Sequence, residues 1–191
     1  MMPERRDSQT RGKSGARSPL GTALTIEELH GDAKLGPEEF EARYGNGFLL
    51  VTAAGLESQK GTTTRLLLDG IDEDPAEHTA GLAIVVYPLR QRDILGGHLV
   101  TIGREPTHDI VIPDPSISRF HAFAKQGADG EFLLQDAGST NGTTVNGASV
   151  PARGAGQPVR LKPGDTVRLG RLESTFTDAA ALRHFVLQTG G

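Results

Sequence analysis

From Gly81 onward the chain is cut into short apolar runs by turn-forming pairs, and no other feature restricts the fold as much. The runs LAIVVYP, HLVTIGR, DIVI, HAFAKQG, EFLLQDAG, TTVNG, PVRLKPG, DTVRLG and STFTD are rich in Val, Ile, Leu, Thr and Phe. Gly96-Gly97, Pro113-Asp114-Pro115, Asp129-Gly130, Asn141-Gly142, Asn146-Gly147 and Pro163-Gly164 separate them. Such pairs supply the positive φ, or the preset proline φ, that a reversing backbone needs. No helical period runs through the region, and many short strands at this spacing predict an antiparallel β-sandwich. Only the end departs from it. DAAALRHFVLQ sets Leu182, Phe185 and Val186 at helical spacing behind Asp178, an N-cap residue, and predicts a C-terminal helix and tail over 179–191.

Upstream the texture changes twice. Residues 1–19 carry five Lys/Arg against two acidic residues, with Gly, Ser and two prolines and little apolar surface, so they read as a disordered basic tail. Residues 20–80 hold four basic residues against twelve acidic ones. Within them LGPEEFEARYG predicts a short helix: Pro37 suits the first turn, Glu38 and Glu39 face the positive end of the dipole, and Gly45 stops it. Leu35, Phe40 and Tyr44 would form its buried side. GFLLVTA and TTRLLLDG read as strands and DEDPAEH as an acidic loop. This mixed α/β extension either docks on the following domain, 81–178, or forms a small unit of its own.

Charge and composition remove several functions. The net charge is -4, and 81–191 is nearly balanced at eleven basic to ten acidic residues. With no basic excess, no Trp and two Tyr, nucleic acid is not an expected partner. The absence of Cys excludes disulfides, thiolate metal sites and a Cys nucleophile. No apolar run is long enough to cross a bilayer, and the start lacks the apolar stretch of a signal peptide, so the expectation is a cytoplasmic protein without a membrane partner.

Polar groups collect in the turns of the sandwich. Gly103-Arg104 follows one strand, Ser118-Arg119-Phe120-His121 opens another, and Gly138 to Gly147, GSTNGTTVNG, holds four hydroxyl residues and one apolar side chain. Turns of an antiparallel sandwich cluster at its two ends, so these stretches can converge on one apex. Arg offers a rigid fork of donors matched to phosphate oxygens, hydroxyls and turn N–H groups add more, and an Asn amide suits a peptide backbone. Taken singly the signals are weak: Asn-Gly pairs shape hairpins in any β protein, and a lone Arg is most often solvated.

Together, TIGREPTHDIVIPDPSISRFHA, LLQDAGSTNGTTVNG and LKPGDTVRLG resemble the forkhead-associated (FHA) domain, with G-R, S-x-x-H, S-T-N-G, N-G and L-x-x-G-D in the family's order over roughly Leu82 to Asp178. The resemblance implies a mainly β, FHA-type sandwich of about eleven strands that binds phosphothreonine peptides through its apical loops. It implies that Arg104 pairs with the phosphate, that Ser118 and Thr140 donate to it, and that Asn141 holds the peptide main chain. Arg119, beside Ser118, could add a second positive charge. Gly103, His121, Ser139, Gly142, Asn146 and Gly147 would shape the loops, Ser139 being able to touch the phosphate instead. A small hollow for the threonine methyl implies preference over phosphoserine. Three or four charged hydrogen bonds of about 1.5–3 kcal/mol each, less ordering costs, suggest roughly micromolar affinity. The partner would be a phosphothreonine protein, a Ser/Thr kinase or its substrate, with no cofactor.

The same sequence carries weaker signals for other functions. Ser118 near His121 suggests a hydrolase, but the chain has no G-x-S-x-G elbow and no evident acidic third member. Gly12-Lys13-Ser14 resembles a phosphate-loop ending whose required first glycine falls on Asp7. Asp72, Glu73, Asp74, Glu77 and His78 lack the glycine and spacing of a calcium loop, leaving no metal site. Some FHA proteins dock their own phosphorylated N-terminal threonine; Thr10, Thr22, Thr25 and Thr62 to Thr64 are candidates for such an autoinhibited switch. A phosphorylation-independent scaffold and an enzyme seated in 20–80 complete the alternatives.

Overall fold

The computed structural model describes residues 23–52, 84–90, 99–127 and 129–189. The expected basic tail, the TTRLLLDG strand, the DEDPAEH loop, the Gly96-Gly97 turn and the threonines at 10, 22 and 62–64 lie outside the described residues.

Twelve strands are described: two in the N-terminal extension and ten from Ile84 to Asp178, where about eleven are expected. In chain order they are β1 (Leu24–Thr25), β2 (Gly47–Thr52), β3 (Ile84–Pro88), β4 (Leu99–Gly103), β5 (Ile110–Val111), β6 (Ala122–Gln126), β7 (Phe132–Asp136), β8 (Thr143–Val145), β9 (Ala148–Ser149), β10 (Val159–Leu161), β11 (Thr166–Leu169) and β12 (Leu172–Asp178). They form a seven-stranded sheet, β1-β3-β2-β12-β11-β8-β9, and a five-stranded sheet, β10-β7-β6-β4-β5. Every ladder between the described strands is antiparallel except β4–β5, where Ile102 faces Ile110 and Gly103 faces Val111. The Ile112 N–H donates to the Gly103 carbonyl at 3.0 Å and extends that short parallel contact.

Local chemistry accounts for the turns. β8 and β9 are joined by Asn146 (φ 50) and Gly147 (φ 80), two consecutive left-handed residues between the facing pair Val145 and Ala148. This is the two-residue hairpin whose twist matches its strands. β12 shows the period-two pattern: Leu172, Ser174 and Phe176 are buried while Glu173 and Thr175 are exposed.

Three helices are described, α1 (Ile26–Asp32), α2 (Pro37–Tyr44) and α3 (Ala179–Thr189). Pro37 opens α2 and Gly45 caps it, and Phe40 is its buried residue. Asp178 caps α3, its carboxylate accepting the Ala181 N–H at 2.8 Å. Thr25 is the N-cap of α1, paired in a capping box with Glu28. Of the threonines that could have served a flexible docking arm, this one is tied into a helix start.

β2 explains where the N-terminal segment belongs. It lies between β3 and β12, paired on both edges. Alternate side chains leave opposite faces of a strand. Leu49 and Val51 enter the core between the sheets with Tyr87, Ile102, Leu134 and Phe176. Phe48 points the other way, into a second core with Leu29, Ala33, Phe40, Val86, Leu182 and Val186. The three helices therefore cover the outer face of the seven-stranded sheet, each large apolar side chain buried there contributing about 1.5–3 kcal/mol. No described helix is long and apolar enough to cross a membrane.

Candidate functional site

Strand register levels the loop ends at one apex. In the five-stranded sheet Ile102 faces Ala122 and Ala122 faces Asp136, so β4 ends where β6 begins and β7 ends. In the seven-stranded sheet Leu169 faces both Thr143 and Leu172, which places the start of β8 beside the β11–β12 turn. The segments that carry the polar residues leave from these points.

His121 ties two of the segments together. The residue is fully buried. Its Nδ1 accepts the Ser118 N–H at 3.0 Å, and its Nε2 lies 3.2 Å from the Gly142 carbonyl. A carbonyl only accepts, so the two bonds require the neutral tautomer with hydrogen on Nε2. Burial lowers the His121 pKa, outweighing the Gly142 carbonyl and the Asp136 charge, which act to raise it. Both ring nitrogens are engaged by backbone groups, and the Ser118 hydroxyl bonds elsewhere. Ser118 and His121 are thus not a nucleophile and its base.

Asp136 organises the third segment. Its carboxylate accepts the Gly138 and Ser139 N–H groups and the Ser139 and Thr143 hydroxyls at 2.6–2.8 Å. Burial acts to raise its pKa, but these four bonds prevail and hold it below the ordinary carboxylate value. Ser139 is consequently turned into the loop. The Gly142 φ of 74 reverses the chain next to it.

Above this frame lies a cleft of about 590 Å³ lined by Arg104, Ser118, Arg119, Thr140 and Asn141 among others. The Ser118 hydroxyl oxygen accepts the Thr140 N–H at 3.0 Å and lies 3.4 Å from the Thr140 hydroxyl. Arg104 donates from Nε to the Ile117 carbonyl at 3.2 Å, which orients an otherwise exposed guanidinium. Its backbone N–H reaches the Ser118 and Arg119 carbonyls. The Arg119 side chain is 78% exposed and only loosely paired, 3.9 Å from Glu105. Asn141 donates from Nδ2 to the Ser116 carbonyl at 2.8 Å.

Gly103 permits this closeness. A Cβ there would fall 2.1 Å from the Arg119 carbonyl oxygen and 2.4 Å from the His108 ring. Asn146 and Gly147 stand apart from the cleft: the Asn146 side chain donates to Asp165 and accepts the Thr166 N–H, joining the β8–β9 hairpin to the start of β11.

Four residues at this apex were not singled out from sequence. Asp136 had a signal, an Asp followed two residues later by Gly, the pattern of a side chain that caps its own turn. Ser116 accepts Asn141 through its carbonyl and the Arg171 N–H through its hydroxyl at 3.1 Å, links visible only in three dimensions. His108 and Phe120 stack on one another at 5.1 Å between ring centroids.

A profile of the FHA domain matches residues 100–170. An oxoglutarate dehydrogenase inhibitor of Corynebacterium diphtheriae is 34% identical over 125 residues, spanning 64% of this chain and 80% of that protein. The glycogen accumulation regulator GarA of Mycolicibacterium smegmatis is 37% identical over 86 residues, 44% of this chain and 49% of that one. A solved FHA domain of the CT664 protein from Chlamydia trachomatis is 25% identical with a TM-score of 0.43, covering 69% of this chain and 97% of that one.

Proposed function

The chain belongs to the forkhead-associated domain family, and from that premise we propose that it is a non-enzymatic module of cytoplasmic Ser/Thr kinase signalling that captures phosphothreonine peptides. Arg104 meets the phosphate through its terminal nitrogens as a charge-assisted partner, its Nε being committed to the Ile117 carbonyl. Ser118 and Thr140 supply hydroxyl donors, and Arg119 exchanges its weak contact with Glu105 for the phosphate. Asn141, steadied by Ser116, holds the peptide main chain beside the phosphothreonine. Gly103, His121, Ser139 and Gly142 set the loops. Regulatory names among the relatives, an inhibitor and a regulator, agree with a binding role.

One observation carries the reading: an oriented guanidinium and two hydroxyls from three separate loops line one open cleft. Such a site selects a dianion by charge, and the family resemblance adds the preference for threonine. The test is calorimetry against a degenerate phosphothreonine peptide library and the same library without phosphate. Binding is expected only with phosphate, and more tightly for phosphothreonine than phosphoserine. Equal affinity with and without phosphate would replace this reading with a phosphorylation-independent scaffold.

A further inference from the structure

Phosphate capture does not account for Phe120. The residue lies between Arg119 and His121, lines the same cleft, and is 42% exposed, one of three large apolar side chains so exposed among the described residues. A solvent-facing Phe at a site built from polar donors forgoes burial that a polar residue would not miss.

Nor is Phe120 loosely placed. The His108 ring, from the β4–β5 loop, stacks on it at 5.1 Å and 23°. Phe123 of β6 also lies 6.2 Å from it, with the Arg153 guanidinium 6.0 Å from the Phe123 ring centre. His108 itself is seated over Gly103, where a side chain would strike its ring. The glycine that lets the Arg104 loop close also lets this aromatic pair form. The pair is thus preorganised, so a ligand that covers it bears little ordering cost.

We propose that the Phe120–His108 pair is a specificity shelf, on which an aromatic or branched aliphatic side chain of the same phosphopeptide packs. This rests on the phosphopeptide reading above. A single ligand is indicated because Arg104, Ser118, Thr140, His108 and Phe120 line one cleft rather than two. Covering a flat aromatic face needs an apolar side chain.

The experiment is a positional-scanning phosphothreonine peptide library, read on the full chain and on Phe120→Ala and Phe120→Leu, with thermal melts to confirm folding. Wild type should enrich Phe, Tyr, Leu, Ile or Val at one flanking position. Phe120→Ala should bind the enriched peptide about tenfold more weakly, about 1.4 kcal/mol. It should bind the same peptide carrying Ala at that position with unchanged affinity, and Phe120→Leu should keep part of the preference. Phosphate-dependent binding without apolar enrichment, or enrichment that survives in Phe120→Ala, overturns the shelf and leaves the phosphate site standing. If wild type retains no phosphothreonine peptide, both readings fall.

Discussion

The loop apex and the helix-covered face of the seven-stranded sheet are held together by different means. Under the helices, Phe40, Phe48, Leu29, Leu182 and Val186 interdigitate, and the helix ends are closed by Thr25, Gly45 and Asp178. At the apex, buried polar atoms take over: Asp136 accepts four bonds, His121 joins Ser118 to Gly142, and Ser116 receives Asn141 and Arg171. Apolar burial is non-directional and scales with area, so it stabilises without fixing a particular atom. Hydrogen bonds contribute less net stability each but set distance and angle. A surface that only has to stay closed uses the first, and a surface that has to present donors to a ligand uses the second.

That division can be broken or sharpened by substitution. The largest effect belongs to the helical face. Phe40→Ala should cost about 3–5 kcal/mol of unfolding free energy by denaturant titration, with phosphopeptide affinity of the folded fraction unchanged. A parallel loss of affinity would show that the two regions are coupled. Arg104→Ala should do the reverse, weakening phosphopeptide binding by about 1.5–3 kcal/mol or more in calorimetry with a superimposable melting curve. A drop in melting temperature would assign Arg104 a structural share through its bond to Ile117.

Gly103→Ala should blur the distinction. Its Cβ would press on the Arg119 carbonyl and on His108, so about 1–3 kcal/mol of stability and a measurable part of the affinity should be lost together.

The smallest effect is set by acid. His121 has a depressed folded-state pKa, so the unfolded chain binds its proton more readily. Stability from this residue is complete above pH 6.5 and erodes as pH falls below that value, by at most about 1.4 kcal/mol per pH unit. Asp136 adds a second loss with the same sign only below about pH 3.8. Melting temperatures between pH 7.5 and 5 should therefore fall in wild type and flatten in His121→Gln; parallel curves would refute the neutral tautomer assigned here.

Much of the fold was legible because turn chemistry and apolar runs are local. The strand-and-turn series from Ile84 to Asp178, the helix at Pro37 and the cap at Asp178 follow from residues within a few positions of one another. β2 was legible as a strand but not as to its place. GFLLVT is apolar on both faces, which calls for two buried sides without naming what buries them. The sheet answers with the sandwich core on one side and three helices on the other. The parallel β4–β5 contact was illegible for a related reason, since two residues of strand carry no mark of direction.

Residue type and order determined what chemistry the apex can offer: a guanidinium at Arg104, hydroxyls at Ser118 and Thr140, an amide at Asn141 and glycines where the backbone must turn. Only the tertiary structure decided how those groups are used. It gave His121 a carbonyl 21 residues away, turned Ser139 inward to Asp136 and set His108 against Phe120. The physical reason is range. A turn depends on φ and ψ of adjacent residues, whereas a bond or ring contact between loops depends on the register of strands that the chain pairs far apart.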